Sequence, residues 1–212
     1  MDMENEKKKK EGSDTRTQEQ TAMTIGALIL AGGQNSRMGG QHKALLEWNG
    51  RTYLEYLEDA FAAFDEKIIS TGVAALAEGT DFLAVPDEIS GQGPLGGLST
   101  ALSVCRSNAL VVCACDMPFV TAELTAFLAG QARLHPEAKA IAIRDRSGRL
   151  HPLCGVYKKE AAAIIHESLM QDESRMIRVF RKLEGLEIAL AETTFPDRIL
   201  ANVNTPEEME AL

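Results

Sequence analysis

Six short apolar runs punctuate the chain, at Ile25–Leu30, Ile68–Thr71, Phe82–Val85, Leu110–Ala114, Ala140–Ile143 and Leu153–Tyr157. Each has strand length. The first and fourth are continuous rather than alternating, the pattern of strands buried on both faces of a parallel sheet. Helical patterns lie between them. Thr52 with Glu55 three residues on forms a capping box, followed at helical spacing by Leu54, Leu57, Phe61 and Phe64. A second helix is predicted from about Leu98 to Val104, after a glycine-rich loop Gly91–Gly97, and a third from Thr121 to about Leu134. Strands alternating with helices predict an α/β fold built on a doubly wound, mostly parallel sheet. In such sheets ligands bind beyond the carboxyl ends of the strands, where the strand order reverses.

Composition sets the outer bounds. The 212 residues are 45% apolar and 25% charged, ordinary for a globular chain. Residues 1–23 carry almost no apolar side chains and mix charge blocks, so they are expected to be a disordered tail, with 24–212 a single domain. No segment has the apolar core of a signal peptide or the length of a membrane span, so the expected location is the cytoplasm, with no membrane partner. A net charge of −9 argues against broad nucleic-acid binding and requires any phosphate site to gather its cations locally. Cys105, Cys113, Cys115 and Cys154 lack metal-ligand spacing and read as small buried hydrophobes.

The chemistry concentrates after the first strand, in Thr24–Lys43, TIGALILAGGQNSRMGGQHK. Glycines at 32, 33, 39 and 40 allow backbone N–H groups to approach an anion closely, and Arg37 and Lys43 add a planar fork and a point charge. Lys43 is followed by Ala44 rather than Ser or Thr, which excludes a Walker A loop, and the glycine spacing excludes the dinucleotide fingerprint. The segment reads as a phosphate cradle. Asp116 follows the most apolar strand, where a poorly solvated carboxylate needs a partner such as a nucleotide-bound cation; its alternative is a turn cap. Asp87 stands at a second strand end, with a turn aspartate as the alternative. Glycines in Gly91–Gly97 would admit a flat base or an anion at a helix N-terminus, with a plain helix entry as the alternative. His151, after Arg144, Arg146 and Arg149, is the one histidine near a plausible anion site, with a solvated loop as the alternative. Near the end of the chain, a Thr205 cap, Pro206 and Glu208 announce a helix but leave Asn202 and Asn204 unexplained.

In this order LAGGQNSRMGGQHK, GPLGG, CDMP, RLHPL and NVNTPEE resemble the bacterial molybdenum cofactor guanylyltransferase family, from about residue 24 onward. The resemblance implies a Rossmann-like nucleotidyltransferase fold and transfer of GMP from Mg·GTP to the terminal phosphate of molybdenum-bound molybdopterin, releasing pyrophosphate. Carried over by position, it implies Leu30, Ala31, Gly32, Gly33, Lys43, Thr71, Asp87, Gly96 and Asp116 for GTP. It implies Arg37, Lys43 and Asp116 for catalysis, with Asp116 the Mg²⁺ ligand. Gly40, His151, Arg175, Asn202 and Asn204 fall on the acceptor side. The family often has asparagine after its second strand, where this chain has Ser70-Thr71-Gly72. Cofactor-assembly proteins or molybdoenzyme chaperones are the implied macromolecular partners. A cytidylyl- or sugar-phosphate nucleotidyltransferase of the same fold, or a non-catalytic nucleotide-binding adaptor, is the competing reading. The cytidylyl branch typically has L-A-A-G where this chain has Gly32-Gly33.

Overall fold

The computed structural model describes residues 23–32, 42–86, 92–204 and 208. In chain order the elements are β1 (Ile25–Leu30), β2 (Glu47–Trp48), β3 (Arg51–Thr52), α1 (Tyr53–Ala60), β4 (Lys67–Ser70), β5 (Leu83–Val85) and α2 (Gly93–Val104). They continue with β6 (Ala109–Ala114), α3 (Ala122–Leu134), β7 (Ala140–Arg144), β8 (Leu150–Lys158), α4 (Ala162–Met170), α5 (Met176–Lys182) and β9 (Leu186–Ala189). Short 3-10 turns join several of them.

Seven strands form one sheet in the order β5-β4-β1-β6-β8-β7-β9, and β2 and β3 make a separate small ribbon. Every neighbouring pair in the large sheet is parallel except the two that involve β8. The continuous apolar runs are the central strands. Ala27 and Ile29 of β1 face a core with Leu54 and Leu57 of α1 and Leu124 and Leu128 of α3. Leu28 and Leu30 face the opposite core, with Leu95 and Leu98 of α2, Ile165 of α4 and Phe180 of α5. Both faces of β1 are therefore covered, which is why the sequence shows no alternation there. The four cysteines are free and buried. Among the described residues, no helix is long and apolar enough to cross a membrane.

The capping box is present as expected: Thr52 and Glu55 each accept from the other's backbone N–H at the start of α1. Two expectations need correction. The Gly91–Gly97 segment is not a loop up to Leu98, since α2 starts at Gly93. Pro94 presets the helical φ in the first turn, Gly93 takes a positive φ of 60°, and Gly96 and Gly97 are buried residues of the helix. His151 and Pro152 do not precede a strand but lie inside β8, at an irregularity where pairing with β7 jumps from Ala142↔Gly155 to Ile143↔His151.

Candidate active site

The strand order reverses at β1: the chain steps outward through β4 and β5, then returns to the other side of β1 as β6. The two segments singled out by sequence leave the sheet side by side at that point. Ala31 N–H donates to Ser70 O at 2.8 Å, and Cys115 N–H donates to Leu30 O at 3.0 Å, so pairing runs just past the strand ends. Leu30, Ala31, Gly32 and Asp116 thus share one edge. Beyond it, Lys43 Nζ donates to Asp116 Oδ2 at 3.4 Å and to Asn204 Oδ1 at 2.5 Å. Asn202 Nδ2 donates to Asp116 Oδ1 at 2.8 Å, and Val203 N–H to the Asp116 carbonyl at 2.8 Å. Glu208 Oε2 in turn accepts from Asn204 N–H at 2.7 Å.

Segments far apart in sequence therefore converge on one carboxylate. This accounts for Asn202 and Asn204, which no local helix signal explained. The Lys43 and Asp116 side chains keep about 25% and 17% of their exposure, enough for a ligand to reach both. Tyr53 closes the floor beneath, packed with Leu46 and Val203. Burial, with the nearby charges of Glu208 and Asp116, raises its phenol above the ordinary value.

His42 was not singled out by sequence. Its Nε2 meets the Ala31 carbonyl at 2.8 Å, and its Nδ1 accepts from Ala44 N–H at 3.2 Å, capping the turn that begins with Lys43. Burial lowers its pKa, partly opposed by the bond to Ala31. The only cue in the sequence was its position beside Lys43.

Of the residues expected on the acceptor side, His151 Nε2 meets Asp145 Oδ2 at 2.9 Å. Asp145 Oδ1 gathers Ser147 N–H, Ser147 Oγ and Arg149 N–H, which fixes the β7–β8 turn. The His151 and Ser147 bonds hold the Asp145 carboxyl well below the usual carboxylate range. Two cavities meet at His151, Arg149 and Asn202. One, of about 570 Å³, is polar and includes Asp145, Asn204 and Glu208. The other, of about 580 Å³, runs past Pro94 and Met117 to Arg175, Arg178 and Arg181. Arg175 stands just before α5, its side chain about 69% exposed beside Glu173.

Two of the predicted residues take part in bonds within the chain. The Thr71 hydroxyl is committed to its own turn, accepting from Val73 N–H at 3.0 Å. Gly96 is a helix residue whose carbonyl accepts from the Thr100 hydroxyl at 3.2 Å. Gly33, Arg37, Gly40 and Asp87 lie outside the described residues, as do residues 1–22 and Thr205 and Pro206. Among the described residues, no group of three or more His, Cys, Asp or Glu gathers for a metal ion. A single carboxylate is nevertheless the donor set that suits Mg²⁺ arriving on a nucleotide, since that ion usually takes one or two carboxylates together with phosphates and waters.

Comparison with known proteins agrees with this geometry. Residues 27–187 match the model of the MobA-like NTP transferase domain. The molybdenum cofactor guanylyltransferase of Pseudomonas syringae is 35% identical over 182 residues, 84% of this chain and 88% of the relative. A probable molybdenum cofactor guanylyltransferase of Carboxydothermus hydrogenoformans is 32% identical over 190 residues, 87% of this chain and 92% of the relative. Among solved structures, the Archaeoglobus fulgidus molybdopterin-guanine dinucleotide biosynthesis protein A superposes with a TM-score of 0.72 at 21% identity, covering 89% of this chain and 96% of that one. The Anaerococcus prevotii 4-diphosphocytidyl-2C-methyl-D-erythritol synthase shares the fold at a TM-score of 0.63 and 14% identity, with 90% and 94% of the two chains covered. With Asp116, Lys43 and the two asparagines joined at the switch point of a nucleotidyltransferase sheet, the chain belongs to the MobA-like NTP transferase family, alongside the molybdenum cofactor guanylyltransferases.

Proposed function

We propose that this protein transfers GMP from GTP to the terminal phosphate of molybdenum-bound molybdopterin, forming the guanine dinucleotide and pyrophosphate. The observation that carries the proposal is the meeting of Lys43 and Asn202 on Asp116 at the β1/β6 edge, with Asn204 accepting from Lys43. Relatives more than 30% identical bear the matching name.

The residues suit the reaction's main difficulty. A phosphate monoester has its second pKa near 6, so the nucleophile is already largely ionised at pH 7 and needs no general base. The barrier lies in bringing one anion onto another: unit charges about 4 Å apart repel by roughly 4 kcal/mol at an effective dielectric near 20. Lys43 offsets that charge from the triphosphate side, and Arg37 is assigned the same role from its place in the glycine loop. Gly32 and Gly33 are assigned, from their place in the glycine loop, the close approach of backbone N–H groups to the nucleotide. Asn202 and Asn204 aim Asp116 and Lys43 without adding charge. Asp116 would hold Mg²⁺ with the triphosphate, and the ion when bound supplies charge neutralisation at the α-phosphate and on the leaving pyrophosphate.

The acceptor belongs in the cavity lined by His151, Arg149, Arg175 and Asn202, which joins the Asp116 network through Asn202. Four guanidiniums and an imidazole around an apolar floor suit a phosphate-bearing heterocycle. The test is to incubate the protein with Mg²⁺, each nucleoside triphosphate in turn and molybdopterin-loaded acceptor, and identify the dinucleotide by mass. GTP should exceed CTP and ATP by about 10⁴, because a wrong base leaves buried polar groups unpaired. Comparable turnover with CTP would refute the guanylyl assignment and leave the fold intact.

A further inference from the structure

His42 uses both ring nitrogens on backbone groups, and those groups fix its tautomer. Ala44 N–H can only donate, so Nδ1 accepts; the Ala31 carbonyl can only accept, so Nε2 carries the hydrogen. The ring is neutral in this arrangement. The Ala31 end is itself anchored, since Ala31 is fully buried and its N–H donates to Ser70 O at 2.8 Å. The other end opens directly into Lys43, whose ammonium reaches Asp116 and Asn204. One imidazole therefore ties the point where the glycine-rich loop leaves β1 to the point where it delivers its lysine.

We propose that His42 is a positioning residue for nucleotide transfer: it clasps the two ends of the glycine-rich loop and sets the distance between the β1 edge and the Lys43 ammonium. The inference rests on the nucleotidyl-transfer reading and goes beyond it, because no triphosphate contact is assigned to His42. Loosening the clasp lets Lys43 swing away from the edge that faces the nucleotide, so ground-state binding of the triphosphate is the first quantity to suffer.

Two substitutions separate the clasp from the cap. In His42→Gln the side-chain amide N–H reaches where Nε2–H stood and keeps the bond to Ala31. In His42→Asn the side-chain oxygen replaces Nδ1, keeping the cap on Ala44 and losing the clasp. Steady-state kinetics should show KM for GTP raised about tenfold, or ~1.4 kcal/mol, in His42→Ala and His42→Asn. His42→Gln should stay within about threefold of the parent, a difference of less than 1 kcal/mol. Ring ¹⁵N shifts of the free protein at neutral pH should report a proton on Nε2 and none on Nδ1. Rescue by His42→Asn as complete as by His42→Gln would reduce His42 to a helix cap and overturn the proposal. An unchanged KM in folded His42→Ala, or a proton on Nδ1, would overturn it as well. If His42→Ala does not fold, the Asn and Gln variants decide alone. Parent protein that makes no guanine dinucleotide would count against the guanylyl reading only; the ring tautomer and calorimetric triphosphate affinities of the Asn and Gln variants would still decide the clasp.

Discussion

Replacing Asp116 by Asn removes one charge and almost no volume, and the network around it predicts how the cost divides between fold and turnover. Asn202 Nδ2 can still donate to the remaining side-chain oxygen, at the site of the present 2.8 Å bond. The Val203 N–H bond is to the Asp116 backbone carbonyl and is untouched. What the fold loses is the 3.4 Å pair with Lys43, whose partners keep 25% and 17% of their side-chain exposure. A pair so open to solvent is worth about 1 kcal/mol at most. Lys43 also keeps its acceptor on Asn204. For a chain of this size, a melting temperature lower by roughly 2–4 °C is expected. The loss in turnover is of another order. A carboxylate that holds Mg²⁺ against the triphosphate should cost at least ~10² in kcat when neutralised, about 2.7 kcal/mol in the barrier. The assay pairs a thermal melt with initial rates of dinucleotide formation across a Mg²⁺ titration. Near-normal turnover of Asp116→Asn at saturating Mg²⁺ would show that Asp116 only fastens the loop, and the metal assignment would fall.

Lys43→Ala should weaken GTP binding and turnover together, since a phosphate contact acts in ground and transition states alike; a change in kcat with KM intact would contradict this. Gly155→Ala should destabilise by about 3 kcal/mol or more, because a Cβ there would lie well under 3.0 Å from the Ile141 carbonyl oxygen, a backbone atom that cannot swing aside. A denaturation midpoint equal to the parent's would disprove that account of the β7–β8 pairing. Asp145 has a depressed folded-state pKa, so its contribution to stability is present above the unfolded value near 3.8 and is lost as pH falls through the folded value. Denaturant titrations from pH 6 downward should show a steeper acid loss in the parent than in Asp145→Asn, and parallel curves would contradict it. Deleting residues 1–22, which carry almost no apolar side chains, should leave the melting temperature and GTP affinity unchanged; a loss of several degrees would show a docked element.

The central strands were legible because burial on both faces leaves an unbroken apolar run, as in Ile25–Leu30 and Ala109–Ala114. The start of α1 was legible because Thr52 and Glu55 cap it with side chains close in sequence. By contrast, the N-cap residues of α4 and α5, Ala161 and Arg175, make no side-chain cap bond, so no start signal marks these helices. The partly exposed β9 has only four residues with which to show a pattern. The start of α2 was misplaced because glycines inside a helix, here Gly93, Gly96 and Gly97, look in sequence like glycines of a loop. In the candidate site, Lys43, Asp116 and the β1 edge followed from strand-end chemistry. The roles of His42 and Asp145 did not, because most of their partners are backbone N–H and C=O groups, which every residue carries and no residue type announces.

The bonds that complete the network span very different stretches of chain: Lys43 to Asp116 across 73 residues, Asn202 to Asp116 across 86, and Asn204 to Lys43 across 161. Contacts at such separation carry the largest loop-closure cost and form late when a chain folds. All seven strands of the large sheet are complete by Ala189, before either asparagine exists in a growing chain. A nascent polypeptide can therefore pair all seven strands while the Lys43–Asp116 pair still lacks its two aiming side chains. Chains that end at Ala201 keep Leu190, Ile199 and Leu200 of the core and lack both asparagines, so they should fold and remain catalytically idle; in this enzyme the synthesis of a stable body and the onset of activity are separate events.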